Sequence, residues 1–495
     1  MTSTHTPTPA PAAGRSRWIA LIVISLAQLM VVLDGSIVNI ALPQAQIDLG
    51  FDDSLRQWVV TAYSLTFGAL LLLGGRISDM WGRKRSFITG LIGFGLASVL
   101  GGIAANIEVL LAARALQGLF AALLAPAALS LLSVTFTSGK ERATAFGVFT
   151  AVAGAGGAIG LLLGGVLTEF ASWRWTLLVN TVIAVIAVIA AVAVIHEPSG
   201  ERRRSRLDVV GTVLASLGLA ALVYGFTLAE EDRWCAWQTL TAFAIAVLML
   251  VVFVVTQSRV AHPLMPLRVV TDRDRGGSYL SIALGMAANF TQFLFLTYYL
   301  QQVLGFTPLA TGIAFLPLVI SLVIGTSQIG SRLATKYPVR YVMGFGYLVG
   351  AIGLAWLTRL TPGDDYWTVV IPASVVMGLG LGTALIAGMT TATRGVGADD
   401  AGVASALVNT SQQVGGSIGT ALMSAVAASA TASWLVANGS DGATEGTVFG
   451  YTTAFWVATA FLAAASLVAF TVVTSRRPSD LEHDDAPAQS MVHAA

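Results

Sequence analysis

Long apolar runs separated by short polar segments fill most of the chain. A helix needs about 20 mostly apolar residues to cross the hydrocarbon core of a bilayer. Fourteen runs reach that length. The pattern predicts an all-α polytopic membrane protein with spans near residues 18–42, 56–76, 87–105, 108–133, 143–167, 175–195, 208–229, 236–256, 276–301, 308–331, 341–360, 367–390, 403–430 and 451–474.

The order of these spans indicates a duplicated chain with an insert. Residues 75–84 align with residues 331–340, and each segment follows the second span of a block of six. Two related blocks are typical of secondary transporters. The expected parts are a disordered N-terminus (1–17), an N-terminal six-helix bundle (18–195), a two-helix insert with its linkers (196–275), a C-terminal six-helix bundle (276–474) and a tail (475–495).

The loops between the spans alternate in charge. Arginine and lysine cluster in every second loop, as at Arg83, Lys84 and Arg85. The other loops carry acidic residues, as at Glu230 and Glu231. Because basic loops of membrane proteins face the cytoplasm, the pattern predicts a multi-pass protein of the cell membrane with both termini in the cytoplasm.

Composition agrees with the hydropathy pattern and narrows the function. Of the 495 residues, 55% are hydrophobic and only 11% are charged, against about 25% charged residues in soluble domains. The net charge is +1 and the basic residues are spread among loops, which argues against a nucleic-acid partner. The single cysteine, Cys235, excludes an internal disulfide and a cysteine-based metal site. Because the sequence contains no nucleotide-binding loop, metal-ligand cluster or catalytic triad, we expect neither an enzyme nor a bound cofactor or metal.

Asp34 is an acidic residue well inside the first apolar run. A carboxylate near the bilayer centre costs about 2.5–3.5 kcal/mol, so it needs a partner or a role. Arg114 of the fourth span lies at a similar depth, about 9 Å below Glu108, while Asp34 lies about 13 Å below Pro43. We therefore predict a coupled Asp34–Arg114 site for protons and substrate. The alternative is that the Arg114 side chain extends outward to the membrane interface.

The spans of the second half carry amides and aromatic rings in place of buried acids. Amides cost less to bury than charges and can still orient a ligand, and ring faces attract cations. Helix–helix hydrogen bonds and lipid-facing rings are the alternative explanation for any one of these residues. With one amide of the first span, the predicted lining of a substrate cavity is Asn39, Asn289, Gln292, Phe293, Tyr298, Asn409, Gln412 and Gln413.

Three motifs occur in the first block of six spans. The residues are Gly75, Asp79, Gly82, Arg83, Lys84 and Arg85 in the loop after the second span, Arg114, Gln117 and Gly118 in the fourth span, and Gly156, Gly160, Gly164 and Gly165 in the fifth. They resemble the conformational loop, the fourth-span motif and the antiporter-associated fifth-span glycine motif of the major facilitator superfamily. In the last of these, Leu161 stands where the family usually has proline.

Two further features are Trp173, Arg174 and Trp175 with Asn180, and the first-span stretch 33–43. Together with the fourteen spans, they resemble the drug:proton antiporter branch that carries a two-helix insert. The resemblance implies a multidrug efflux transporter that works by alternating access in the lipid bilayer. A duplicated single chain has no need to oligomerise, so we expect a monomer. It would export hydrophobic or cationic compounds, including drugs and antibiotics, in exchange for protons. Asp34 would bind either a proton or a cationic substrate, and its protonation would bias the conformational equilibrium. Two alternatives stay open: a proton-coupled transporter of a specific metabolite, and a non-transporting membrane receptor on the same scaffold.

Overall fold

Helices form the regular structure of the part of the chain that is described, and no strand occurs there. The computed structural model describes residues 14–136, 139–195, 208–229, 234–260, 263–394, 396, 401–439 and 442–474. The helices are α1 (Gly14–Leu49), α2 (Asp53–Trp81), α3 (Arg83–Gly102), α4 (Ile107–Thr135), α5 (Gly139–Phe170), α6 (Trp175–Val194), α7 (Val209–Ala229), α8 (Trp237–Gln257), α9 (Leu267–Val270), α10 (Arg273–Tyr298), α11 (Pro308–Ala314), α12 (Leu316–Ile324), α13 (Ser331–Lys336), α14 (Val339–Leu357), α15 (Ile371–Thr393), α16 (Ala401–Asn438) and α17 (Ala443–Thr471). Single π-helical turns follow α10 (Tyr299–Val303), join α12 to α13 (Gly325–Gly330) and precede α15 (Tyr366–Val370).

The helix lengths confirm the predicted fold class. Thirteen helical segments of the described residues are long and apolar enough to cross a membrane. The fifth predicted span corresponds to α5, a helix of 32 residues. Its apolar stretch Ala155–Phe170 is shorter than each of the thirteen segments. The protein is therefore an all-α polytopic membrane protein.

Two predicted boundaries differ from the structure. Helix α1 begins at Gly14, so residues 14–17 are helical and not disordered as predicted. Helix α10 begins at Arg273, three residues before the predicted start of the C-terminal bundle at 276. In both cases the helix continues from an apolar run into a polar segment, because a helix satisfies its own backbone hydrogen bonds. The rest of the predicted termini, residues 1–13 and 475–495, lies outside the described residues.

The crossings pack as two halves with α7 and α8 on the outside. Helices α1 to α6 pack mainly among themselves, and so do α10 to α17. The halves meet along two seams: α2 packs against α16 on one flank, and α5 packs against α11 and α12 on the other. Helix α7 packs against both α2 and α16, and α8 packs against α7. The insert therefore covers the α2–α16 seam.

Contacts between the halves close one side of the molecule, where α1 ends and α2 begins. The Tyr298 hydroxyl donates to Gln46 Oε1 at 3.0 Å. Gln301 Nε2 donates to the carbonyl oxygen of Ile40 at 3.1 Å. The guanidinium carbon of Arg56 lies 4.0 Å from the centre of the Tyr298 ring. These contacts join α1 and α2 to the end of α10, and we call this the closed side.

A cavity of about 940 Å³ lies between the two halves. Residues of α1, α2, α10 and α16 line it at mid-depth, and Arg76, Thr393 and Val403 line it near the ends of α2, α15 and α16. Those ends lie on the side of the protein opposite the closed side. The turn between α2 and α3, which is also on that opposite side, carries basic residues, so we call it the basic side. The cavity thus extends from the middle of the protein towards the basic side.

Glycines permit the close approach of α5 and α11 near the closed side. A Cβ on Gly312 would lie 2.5 Å from the carbonyl oxygen of Leu161. A Cβ on Gly165 would lie 2.6 Å from the Cα of Leu309. Both distances are shorter than real Cβ contacts, so the second seam closes this tightly only because both positions are glycine.

Replacing Gly312 with alanine should therefore open the closed side. The added methyl group would push α11 away from α5, and the cavity would become more accessible from the closed side. A Ser36→Cys substitution, in a Cys235→Ser background, places a single thiol on the cavity wall. Its labelling by a membrane-impermeant maleimide applied from the closed side should be faster in Gly312→Ala.

The matched control for this experiment is Gly363→Ala. A Cβ at Gly363 would meet no atom within 4 Å, so this variant should label at the rate of the parent protein. Equal labelling of the Gly312→Ala variant and the parent would contradict the role given to the α5–α11 contact.

Candidate functional site

Asp34 and Arg114 form an ion pair inside the N-terminal half. Arg114 Nη1 lies 2.6 Å from Asp34 Oδ2, and the side chains are 1% and 0% exposed, respectively. Helix α1 supplies the acid and helix α4 the base. The structure thus brings together the two residues that were predicted to lie at similar depth. The Arg114 side chain does not extend to the membrane interface.

Two amides complete the hydrogen bonding of the carboxylate. Gln117 Nε2 and Asn180 Nδ2 both donate to Asp34 Oδ1, at 3.0 and 2.7 Å. Gln117 also accepts a bond from Arg114 Nη1 at 2.8 Å and donates to Ser98 Oγ at 2.9 Å. A buried charge is tolerated when it is paired and its remaining hydrogen bonds are satisfied. We call Asp34, Arg114, Gln117 and Asn180 the carboxylate cluster.

Arg114 connects the carboxylate cluster to the central cavity. Its Nε donates to the carbonyl oxygen of Val59 at 2.9 Å. Its guanidinium carbon lies 4.5 Å from the centre of the Tyr63 ring. Arg114 and Tyr63 both line the cavity, whereas the fully buried Asp34 is not part of its lining. The carboxylate therefore lies one layer behind the cavity wall.

Glycines of the fourth- and fifth-span motifs allow the helices around this cluster to pack closely. A Cβ on Gly118 would lie 2.4 Å from the carbonyl oxygen of Tyr63, so α4 can approach α2 only with glycine there. A Cβ on Gly160 would lie 2.9 Å from the carbonyl oxygen of Leu33, next to the buried acid. The other glycines of the fifth-span motif contact α1, in the case of Gly156 and Gly164, or α11, in the case of Gly165.

Six of the eight residues predicted to line a substrate cavity are in the cavity wall, and two are not. Gln292 is fully buried and donates to Ser374 Oγ at 3.4 Å. Tyr298 is fully buried and forms part of the closed side. Successive residues of a helix are about 100° apart, so Tyr298 lies on the face opposite Asn289. The six residues in the wall are Asn39, Asn289, Phe293, Asn409, Gln412 and Gln413.

The predicted conformational loop joins α2 to α3 on the basic side. Gly82 has a φ of 110°, which favours glycine. Gly75 lines the cavity near the same end of α2. The side chain of Asp79 lies outside the described residues, so its partner stays a prediction. The three basic residues Arg83, Lys84 and Arg85 form the first turn of α3.

Sequence reasoning did not assign Asn180, Ser98 or Tyr63 to the site. Asn180 gave a usable signal, since it is the one amide in α6, a helix whose other residues are apolar except for two threonines. Ser98 gave none, because a serine inside a helix commonly bonds the backbone of the preceding turn, and Ser98 also does this, at 2.8 Å from the carbonyl oxygen of Phe94. Tyr63 resembles other aromatic residues of the spans, and only its position over Arg114 distinguishes it.

Comparisons with known proteins agree with this architecture. Residues 24–420 match the family model of the Major Facilitator Superfamily. The chain is 47% identical over 466 residues to the puromycin resistance protein pur8 of Streptomyces alboniger, covering 93% of this chain and 92% of that protein. It is 38% identical over 417 residues to the cephamycin export protein CmcT of Amycolatopsis lactamdurans, covering 83% of this chain and 85% of that protein.

A solved structure shows the same fold. A bacterial homolog of the human lysosomal transporter Spinster, in an inward-facing and occupied conformation, superimposes with a TM-score of 0.69. The match covers 94% of this chain and 100% of that one, at 15% sequence identity. The matched family, the extent of the related sequences and the shared fold lead to one conclusion: the chain belongs to the major facilitator superfamily, a family of membrane transporters and not of enzymes.

Proposed function

We propose that this protein exports hydrophobic or cationic antibiotic-like compounds across the cell membrane in exchange for protons. The names of the two relatives, a puromycin resistance protein and a cephamycin export protein, support the export of antibiotics. The observation that carries the proposal is the buried Asp34–Arg114 pair beside a cavity of about 940 Å³. Pockets of about 300–1,000 Å³ hold drug-sized ligands.

Protonation of Asp34 is the coupling step in this proposal. A neutral Asp34 would no longer attract Arg114, and the ion pair between α1 and α4 would be lost. Because Arg114 lines the cavity, its release would change the charge that a bound compound meets. Proton binding and compound binding would thereby favour different conformations, which is the requirement for exchange.

Asn180 can form a hydrogen bond with the Asp34 side chain in both of its protonation states. In the ionised state its Nδ2 donates to Asp34 Oδ1 at 2.7 Å. Its Oδ1 is buried and has no hydrogen-bond partner among the described residues. Since a protonated carboxyl group is a donor, rotation of the Asn180 amide would present this free oxygen to the new proton. The site would then remain hydrogen-bonded without its charge.

The direction of transport follows from the charge of the loops. The positive-inside rule supports placing the basic side in the cytoplasm, together with both termini. The conformation described here would then accept compounds from the cell interior, and the closed side would face outward. One chain contributes both walls of the cavity, so a monomer is sufficient for this function.

Inside-out membrane vesicles with an imposed proton gradient provide the test. A pH-sensitive dye reports the gradient while ethidium, a lipophilic cation, or puromycin is added. At least one of the two compounds should dissipate part of the gradient in vesicles that contain the protein, and neither should do so in vesicles from the parent strain. Uptake of the labelled compound should require the gradient.

The alternatives predict other results. If neither ethidium nor puromycin affects the gradient, antibiotic export is the wrong function, and transport of a specific metabolite becomes the better hypothesis. A membrane receptor without transport activity would show no gradient-dependent uptake of any tested compound.

A further inference from the structure

Asn289 lies at about the same depth in the second half as Asp34 in the first. The opening crossing of each half is followed by a glycine of positive φ, Gly50 at 65° and Gly305 at 70°. Asp34 and Asn289 each lie sixteen residues before the glycine of their half. The π-helical turn Tyr299–Val303 changes this correspondence by no more than one residue. The duplicated scaffold therefore carries a carboxylate in one half and an amide in the other.

The two positions have opposite surroundings. Asp34 is fully buried behind the cavity wall, and both of its oxygens accept hydrogen bonds. Asn289 lines the cavity and is 7% exposed, and its Oδ1 has no hydrogen-bond partner among the described residues. A buried acceptor without a partner is unfavourable. Asn289 lies in the cavity wall, so rotation of its amide towards the cavity would present this oxygen to a donor group of a bound molecule.

Aromatic rings of the same helix line the cavity close to Asn289 along the chain. Phe293 lies one helical turn after Asn289, lines the cavity, and stacks on Phe315 with ring centroids 4.9 Å apart. Phe290 also lines the cavity, and a Cβ on Gly416 would lie 2.9 Å from its ring, so α16 holds that ring closely. Rings fixed in this way form a flat apolar surface that suits another aromatic group.

No negative charge faces the cavity in the described part of its wall. Its only charged side chains there are Arg76 and Arg114. Besides Asn289, amides line it at Gln28, Asn39, Asn409, Gln412 and Gln413. A permanent cation would lose its water shell and would contact amides, rings and two guanidinium groups, and the nearby Asp34 carboxylate is already paired with Arg114. An uncharged molecule would lose much less solvation on entry.

We infer that the C-terminal half recognises the transported compound through Asn289, and that the preferred compound is an uncharged aromatic molecule with an N–H or O–H donor. This inference rests on the proposed export function and narrows its substrate class. The two halves then have different binding roles. The carboxylate cluster of the N-terminal half binds the proton, and the wall around Asn289 in the C-terminal half binds the compound.

Uptake by energised inside-out vesicles tests the inference with two labelled probes. Chloramphenicol is uncharged, with an aromatic ring and O–H and N–H donors; tetraphenylphosphonium is a permanent cation without donors. The wild-type protein should accumulate chloramphenicol and not tetraphenylphosphonium. Asn289→Leu should raise the KM for chloramphenicol about tenfold, the effect of one lost hydrogen bond in a dry site. Asn289→Asp should admit tetraphenylphosphonium, because it adds a carboxylate to the wall.

The matched control is Gln238→Leu, the same type of change at an exposed position of α8, which should leave both uptakes unchanged. Unaltered chloramphenicol kinetics in Asn289→Leu, or wild-type uptake of tetraphenylphosphonium as fast as that of chloramphenicol, would overturn the inference. Export of puromycin with exclusion of chloramphenicol would also overturn it, yet leave the proposed function intact. If the wild type transports none of the three compounds, the proposed function itself fails. Should Asn289→Asp fail to fold, the Asn289→Leu kinetics decide.

Discussion

Replacing Asp34 with asparagine is expected to abolish proton-coupled transport while the protein still folds in the membrane. The asparagine oxygen has the place of a carboxylate oxygen and can accept bonds from Gln117 and Asn180, but an amide neither gains nor loses a proton near neutral pH. Arg114 keeps its bond to the carbonyl oxygen of Val59. In the vesicle assay, the dye signal caused by puromycin should fall to that of vesicles without the protein.

Asp48→Asn is the matched control, since Asp48 is an acid on the same helix. It pairs with Arg174 near the closed side and its side chain is 48% exposed, so its neutralisation should leave coupling in place. The role of Asp34 would be refuted by full proton-coupled uptake in Asp34→Asn, or by equal loss in both variants. Immunoblots of the vesicles must show similar amounts of each protein.

Replacing Arg114 with glutamine should lower the free energy of unfolding by about 3–5 kcal/mol, the usual cost of removing one partner of a buried ion pair. The change leaves the Asp34 carboxylate with two neutral amides as donors. The double variant Asp34→Asn/Arg114→Gln should recover most of this loss, because it removes both charges. Thermal unfolding in detergent, followed by the fluorescence of the 11 tryptophans, measures both effects.

Arg174→Gln is the control for Arg114→Gln. Arg174 pairs with Asp48 where the side chains are 33% and 48% exposed, and solvent-accessible pairs contribute little to stability, so this variant should lose much less stability than Arg114→Gln. A double variant that is no more stable than Arg114→Gln alone would mean that the unpaired carboxylate is not the cause of the loss.

The sequence was sufficient to predict the crossings and the ion pair, because both depend on position along the membrane normal. Apolar run length sets where a helix crosses, and a rise of about 1.5 Å per residue sets the depth of a side chain. Asp34 and Arg114 could therefore be matched before any packing was known. The glycines of the fifth-span motif, such as Gly160, permit the close approach of α5 to α1, but the sequence did not indicate which helix they contact.

The orientation of side chains around each helix was harder to predict. A transmembrane helix is apolar towards lipid and towards its neighbours, so hydropathy gives no strong signal for the face that lines a cavity. Gln292 is only three residues from Asn289, yet it bonds to Ser374 of α15 instead of lining the cavity. Counting about 100° per residue from Asn289 would have excluded Tyr298. The free oxygen of Asn180 depends on packing between α6 and α1, which no pattern within one helix reveals.

The two-helix insert makes access to the cavity from the lipid phase different on the two flanks of the protein. Helices α7 and α8 cover the α2–α16 seam, and they do not pack against α5 or α11. On the covered flank, a molecule in the bilayer is separated from the cavity by an additional layer of helices. On the other flank, only α5 and the helices facing it stand between lipid and cavity. The protein therefore presents two unequal flanks to its membrane, and we expect compounds that enter from the bilayer to pass the flank formed by α5.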